Sequence, residues 1–192
     1  MVKKVLLIVA AIIVLLAILS LTVFKPWIKA VFYIDHMERD ERVSRMQVDK
    51  IVETLALKSD MLVADIGAGS GLFSRKFAEK IMPDGKVYAV DINQKLLSHI
   101  KNENAKQNIN NIVTILADEN DPKIPEKVDI IFMADVLHYI DNQEDYIATL
   151  CSYLEDNGQL AVISFEQNWP PASNKFTLHD LETWLKAHDF VL

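Results

Sequence analysis

Three of the chain's five glycines stand on alternate residues, Gly67, Gly69 and Gly71, within "MLVADIGAGSGLFSRKFAEK" (Met61–Lys80). A short apolar run ending in Asp65 precedes them. A helical pattern with Phe73, Phe77 and Ile81 on one face follows. A chain that leaves a strand and enters a helix within a few residues must turn sharply, and glycine supplies the positive φ angles this requires. Without a Cβ it also lets a ligand approach the backbone, next to the free N–H groups of the helix that begins near Leu72. One glycine suffices for a tight turn. Three, with an acid just upstream, point to a turn shaped around a ligand.

The same strand-to-helix alternation continues along the chain. "KVYAVDI" (Lys86–Ile92), "NIVTILAD" (Asn111–Asp118), "VDIIFMAD" (Val128–Asp135) and "GQLAVISF" (Gly158–Phe165) read as strands. Between and around them, helical spacing groups Val48, Ile51, Val52 and Leu55, then Leu96, Leu97 and Ile100. It also groups Ile147, Leu150 and Leu154, and finally Leu178, Leu181, Leu185 and His188. Strands apolar nearly throughout, alternating with amphipathic helices, predict an α/β fold: a doubly wound, mostly parallel sheet covered on both faces. In such sheets ligands bind beyond the carboxyl ends of the strands, where Asp65 and the glycines lie. A chain of 192 residues holds one such domain.

Several phosphate and nucleotide motifs fail here. The dinucleotide fingerprint G-x-G-x-x-G needs a glycine where Leu72 stands. No P-loop is present. The elbow G-x-S-x-G is broken by Ala68 before Ser70. What is present is D-x-G-x-G-x-G, with Asp91 closing the second strand and Asp118 the third. From about Lys58 onward this resembles the class I S-adenosylmethionine-dependent methyltransferases. "DIIFMADVLHYI" (Asp129–Ile140) and "YLEDNGQLAVISF" (Tyr153–Phe165) are similar to that family's fourth strand and to its following helix, turn and fifth strand.

The resemblance implies a Rossmann-like methyltransferase fold and S-adenosyl-L-methionine as cofactor. The cofactor residues it implies are Asp65, Gly67, Ala68, Gly69, Gly71, Asp91, Ile92, Asp118, Glu119 and Asp135. Asp91 would hold both ribose hydroxyls, which suits one carboxylate with two acceptor oxygens. Asp118 would meet the adenine amino group, although Glu119 and Asp121 crowd it. Asp65 would lie near the methionine moiety or cap the turn through backbone N–H groups. Asp135 and His138 would face the acceptor, with His138 either a base or a satisfied residue at a helix start. The family's usual core has seven strands, and strands six and seven are not found before Leu192. The rival readings are an NAD-dependent oxidoreductase, which the failed fingerprint disfavours, and a non-catalytic nucleoside-binding module of the same fold.

Ahead of the domain, Val5–Phe24 reads "VLLIVAAIIVLLAILSLTVF", with no charge and only Ser20 and Thr22 polar. As a helix it would be roughly 30 Å long, the thickness of a bilayer's hydrocarbon core. It is too long for the apolar part of a signal peptide and carries no A-x-A-like cleavage site. Residues 1–34 are therefore expected to form an N-terminal transmembrane helix and interfacial segment, and 35–192 the catalytic domain. Lys25, Lys29, Arg39 and Arg42 after the span outnumber Lys3 and Lys4 before it, placing the domain on the cytoplasmic side. Such an anchor points to a small or lipid acceptor at the membrane surface. A formal net charge of −7 without a basic stripe argues against nucleic acid. The single cysteine, Cys151, allows no internal disulfide, and no metal-ligand cluster is visible.

Overall fold

A computed structural model describes residues 34, 37–164, 176–188 and 190–191. The expected membrane span Val5–Phe24 lies outside the described residues, as do 27–33 behind it. Among the described residues no helix is long and apolar enough to cross a membrane.

The elements are α1 (Asp40–Arg45), α2 (Val48–Thr54), β1 (Leu62–Ile66), α3 (Leu72–Lys80), β2 (Lys86–Asp91), α4 (Gln94–Gln107), β3 (Ile112–Leu116), β4 (Val128–Ala134), α5 (Gln143–Ser152), β5 (Leu154–Ile163) and α6 (Leu178–Lys186). A single 3-10 turn, Leu137–Tyr139, follows β4. Among the described residues, five strands form one sheet in the order β3-β2-β1-β4-β5, and each of these pairings is parallel. The order reverses between β1 and β4, so a crevice opens at their carboxyl ends.

Alternation along the strands divides the core in two. Val63, Val87, Ile130 and Phe132 face α2 and α3, where Phe73 and Phe77 pack on Phe132 with ring centroids 4.6 and 5.0 Å away. Ala64, Tyr88, Ile131 and Met133 face the other side, against Ile147 and Leu150 of α5 and Leu181 and Leu185 of α6. Leu97 and Ile100 of α4 close over Ala68 and Ala89. The Asp129 carboxylate accepts from the Leu62 amide at 2.7 Å and fixes the register at which β1 starts beside β4. Two helices begin on side-chain caps: Asn93 accepts from the Lys95 amide, and Thr177 and Asp180 form a reciprocal capping box.

The doubly wound parallel sheet is as expected, but several boundaries differ. β5 begins at Leu154, which helical spacing had grouped with Ile147 and Leu150. α5 ends at Ser152, and Leu154 instead pairs with Val128 while still reaching the same core. From Val128 to Ile130 the partner strand runs from Leu154 to Gln159, so "EDNG" is extruded as a bulge. β3 stops at Leu116, because Asp118 pairs back onto Asp121 in a local bridge. β4 stops at Ala134, because Asp135 turns into the left-handed region with φ 60°. Leu178 is exposed, unlike Leu181 and Leu185 behind it on α6.

Candidate functional site

The glycine turn joins β1 to α3, and all three glycines have positive φ: 68° at Gly67, 58° at Gly69 and 81° at Gly71. Each is therefore needed for the backbone path itself. What surrounds them differs. A side chain at Gly67 would overlap Val136, and one at Gly71 would come within 2.8 Å of Ile100 Cγ1. At Gly69 only the tip of Met37 stands in the way, with Cε and Sδ each 3.0 Å from where a Cβ would be. Rigid packing thus seals the two outer glycines, and a flexible side chain lies over the middle one.

Asp91 holds the turn from β2. One carboxylate oxygen accepts from the Gly69 amide at 2.9 Å and the other from the Asn93 amide at 2.8 Å. Burial raises its pKa, opposed by these backbone donors. A carboxylate offers about four acceptor sites, so each oxygen keeps capacity for a second donor. That arrangement fits a vicinal diol laid over the turn. Beside it Ile92 is exposed, an apolar surface at the end of β2 suited to the face of a flat ring.

Asp65 lies beneath the turn, almost fully buried, and accepts from Ser74 Oγ at 2.5 Å. Burial pushes its carboxyl up to about 7; the Ser74 hydroxyl opposes the shift and the nearby Asp91 charge adds to it. Asp65 therefore joins the start of α3 to the end of β1 through the Ser74 hydroxyl, rather than through the backbone N–H groups of the glycine turn. Ala68 is buried, and its amide donates to Val90 O at 3.0 Å.

Asp118 and Glu119 stand apart at the end of β3. The Asp118 side chain is exposed and pairs with Lys123 Nζ at 2.6 Å. Asp121 holds this turn: its amide and carbonyl bridge Asp118, and its carboxylate accepts from Tyr153 Oη and from the Lys123 amide, each at 2.8 Å. Past β4, the Asp135 amide donates to Ile163 O at 2.8 Å, and Asp135 Oδ1 lies 3.6 Å from His138 Nδ1. The imidazole is largely buried against the exposed ring of Tyr139, with centroids 4.0 Å apart.

The fold therefore gathers Asp65, the glycines and Asp91 into one hydrogen-bonded unit. Asp135 and His138 form a second group across the crevice, joined to the first where Val136 packs on Gly67. Asp118 and Glu119 form a third, exposed group. Sequence reading missed Ser74, Val136, Arg75 and Met37. Ser74 had a signal, a lone hydroxyl on the buried face that carries Phe73, Phe77 and Ala78. Met37 had none, since only the tertiary fold brings it to Gly69.

Fold and site together define an α/β domain with a glycine turn, closed by a strand-end acid, at the crevice of its sheet. The sequence model of the methyltransferase domain family matches residues 57–188, and the chain belongs to that family of S-adenosylmethionine-dependent methyltransferases. It is 34% identical over 109 residues to an uncharacterized chloroplastic methyltransferase of Arabidopsis thaliana, covering 54% of this chain and 31% of that one. It is 23% identical to the ubiquinone/menaquinone biosynthesis C-methyltransferase UbiE of Laribacter hongkongensis, covering 68% and 54% respectively. Its fold is shared by a SAM-dependent methyltransferase from Aquifex aeolicus, with a TM-score of 0.70, 22% identity and coverage of 81% and 85%. The chain spans from a third to about half the length of these two curated relatives.

Proposed function

We propose that this domain binds S-adenosylmethionine at the β1–β2 rim and directs its methyl group to a small acceptor in the crevice beside β4. The observation that carries this is the Gly69–Asp91 closure: a turn with glycine at every second residue, fixed by a carboxylate that keeps one acceptor site on each oxygen. Asp91 would accept from both ribose hydroxyls, and Ile92 would lie against the adenine. Asp118 and Glu119 would meet the adenine edge, with Lys123 giving way. When bound, the cofactor supplies a methyl on a sulfonium, whose sulfur leaves as a neutral thioether.

The protein's task is then alignment and exclusion of water. Asp135 and His138 border the acceptor side. There the imidazole, held near the Asp135 carboxylate, could take a proton from a hydroxyl or acidic carbon. An acceptor that is already nucleophilic would need only its positioning.

The acceptor we favour is lipophilic and reached at a membrane surface. Two things support this: the uncharged Val5–Phe24 run, and the quinone-pathway C-methyltransferases among the relatives. In this reading the chain is a single-pass membrane protein with the domain on the cytoplasmic side. External protease on intact cells should leave the domain uncut; cleavage, or a mature chain starting after Phe24, would overturn the topology.

Calorimetric titration of the detergent-solubilised full chain with S-adenosylmethionine, S-adenosylhomocysteine and NAD tests the cofactor. Binding of the first two without NAD is expected. Binding of NAD alone would return the oxidoreductase reading. Cofactor binding with no methyl transferred to any quinone-type, lipid or soluble acceptor would favour a non-catalytic module.

A further inference from the structure

We infer that Arg75 and Glu38 form a latch that holds the chain at Met37 and Glu38 closed across the glycine turn, so that cofactor enters and leaves only as this latch opens. The inference rests on the cofactor reading above. Arg75, in the first turn of α3, joins two places. Its Nη1 donates to the carbonyl of Ser70, inside the glycine turn, at 2.9 Å. Its Nη2 donates to Glu38 Oε1 at 2.5 Å. The guanidinium is largely buried, with its side chain 15% exposed, so this pair is less screened than a surface ion pair. His99 of α4 adds a third group: its Nε2 lies 4.0 Å from Glu38 Oε1 and is buried without a hydrogen-bond partner.

The result of this pairing is the position of Met37. Its thioether lies over Gly69, the one glycine of the turn not sealed by rigid packing. A ligand using the backbone of Gly69 must displace it. The rest of the segment indicates how it moves. α2 is bound to the core through Val48 and Val52 and to α3 by an Asp49–Lys76 ion pair of 2.8 Å. α1 spans only six residues, Asp40–Arg45. Between them Gln47 has φ 51°, a left-handed kink at a residue with a side chain. Met46 is buried in the same core as α2 and Val43 packs against it, so it is the chain ahead of Val43 that can swing while α2 stays docked, and the Glu38–Arg75 pair opposes the swing.

Glu38→Gln removes the charge and keeps the shape. In the full chain, hydrogen exchange of the amides at 37–42 should speed up about tenfold while those of α2 stay unchanged. Stopped-flow measurement with S-adenosylhomocysteine should show association and dissociation both faster by about the same factor, with affinity changed less than threefold. Met37→Ala should speed association while leaving exchange at 37–42 near wild type, because the latch is intact. Unchanged exchange and unchanged rates in Glu38→Gln would overturn the latch. A loss of affinity through faster dissociation alone would make Glu38 a ligand contact instead. If wild type binds no S-adenosylhomocysteine, the cofactor reading fails, and the exchange result alone decides whether the latch exists.

Discussion

Two acids close neighbouring strands of this sheet, and they live in different physical worlds. Asp91, ending β2, is buried, and both of its oxygens accept backbone N–H groups. Asp118, just past β3, is exposed and, among the described residues, paired with the half-exposed Lys123 and bridged locally to Asp121. The buried acid shapes the turn whether or not a ligand is present. The exposed acid can exchange one partner for another at little cost, because exposed ion pairs contribute only about 0–1 kcal/mol. Pre-organisation is therefore concentrated on the β1–β2 side of the rim, and adaptability on the β3 side.

The largest expected effect comes from breaking the rigid side outright. Gly67→Val combines a left-handed φ with overlap on Val136, so the variant should lose cofactor binding and much of its thermal stability. Gly69→Val is strained by φ 58° but meets only the tip of Met37. It should stay folded, as judged by circular dichroism, and lose binding. Equal unfolding of both variants would erase the distinction between sealed and covered glycines.

Next is Asp65, buried on the same side. Its carboxyl titrates at about 7 in the folded chain, against an ordinary value of 3.8. The folded state thus keeps a proton that the unfolded chain gives up. The stability contribution is complete below pH 4 and is lost as pH rises to 7, by up to about 4 kcal/mol at 1.36 kcal/mol per pKa unit. Asp65→Asn can still accept from Ser74 but cannot ionise. In urea denaturation it should match wild type near pH 4 and exceed it at pH 8. Parallel pH profiles for the two proteins would show that Asp65 does not titrate in this range.

Asp91→Ala follows. Hydrogen bonds to a charged group are worth roughly 1.5–3 kcal/mol each, so affinity for S-adenosylmethionine and S-adenosylhomocysteine should fall about ten- to several-hundred-fold. Asp91→Asn should fall between wild type and Ala. An analogue lacking both ribose hydroxyls should lose far less. Because Asp91 also holds the Gly69 amide, the Ala variant should in addition show faster exchange at that amide. The smallest effect is expected at Asp118→Ala, roughly fivefold or less in affinity, reflecting its solvated setting. A loss as large as that of Asp91→Ala would abolish the contrast between the two sides.

Much of this was legible in the sequence. Apolar runs alternating with amphipathic spacing were enough to place five strands. The chain direction of a doubly wound fold then put every strand-end acid on one rim. Boundaries were less legible where a single residue satisfies two patterns: Leu154 keeps helical phase with Leu150 and yet pairs as a strand with Val128. Ser74 could have been found as the polar interruption of a buried face, and its partner Asp65 lies nine positions away.

By itself, then, the sequence determined the parallel sheet, the glycine turn and the order of the acids. These depend on local rules: side-chain periodicity and the backbone freedom of glycine act over a few residues. The tertiary structure alone decided which acids are buried, that Val136 seals Gly67, and that Met37 and Glu38 reach the turn through Arg75. Burial and pairing of this kind depend on residues 32 to 69 positions apart being brought together by a shared core, and no local pattern encodes which of them will meet.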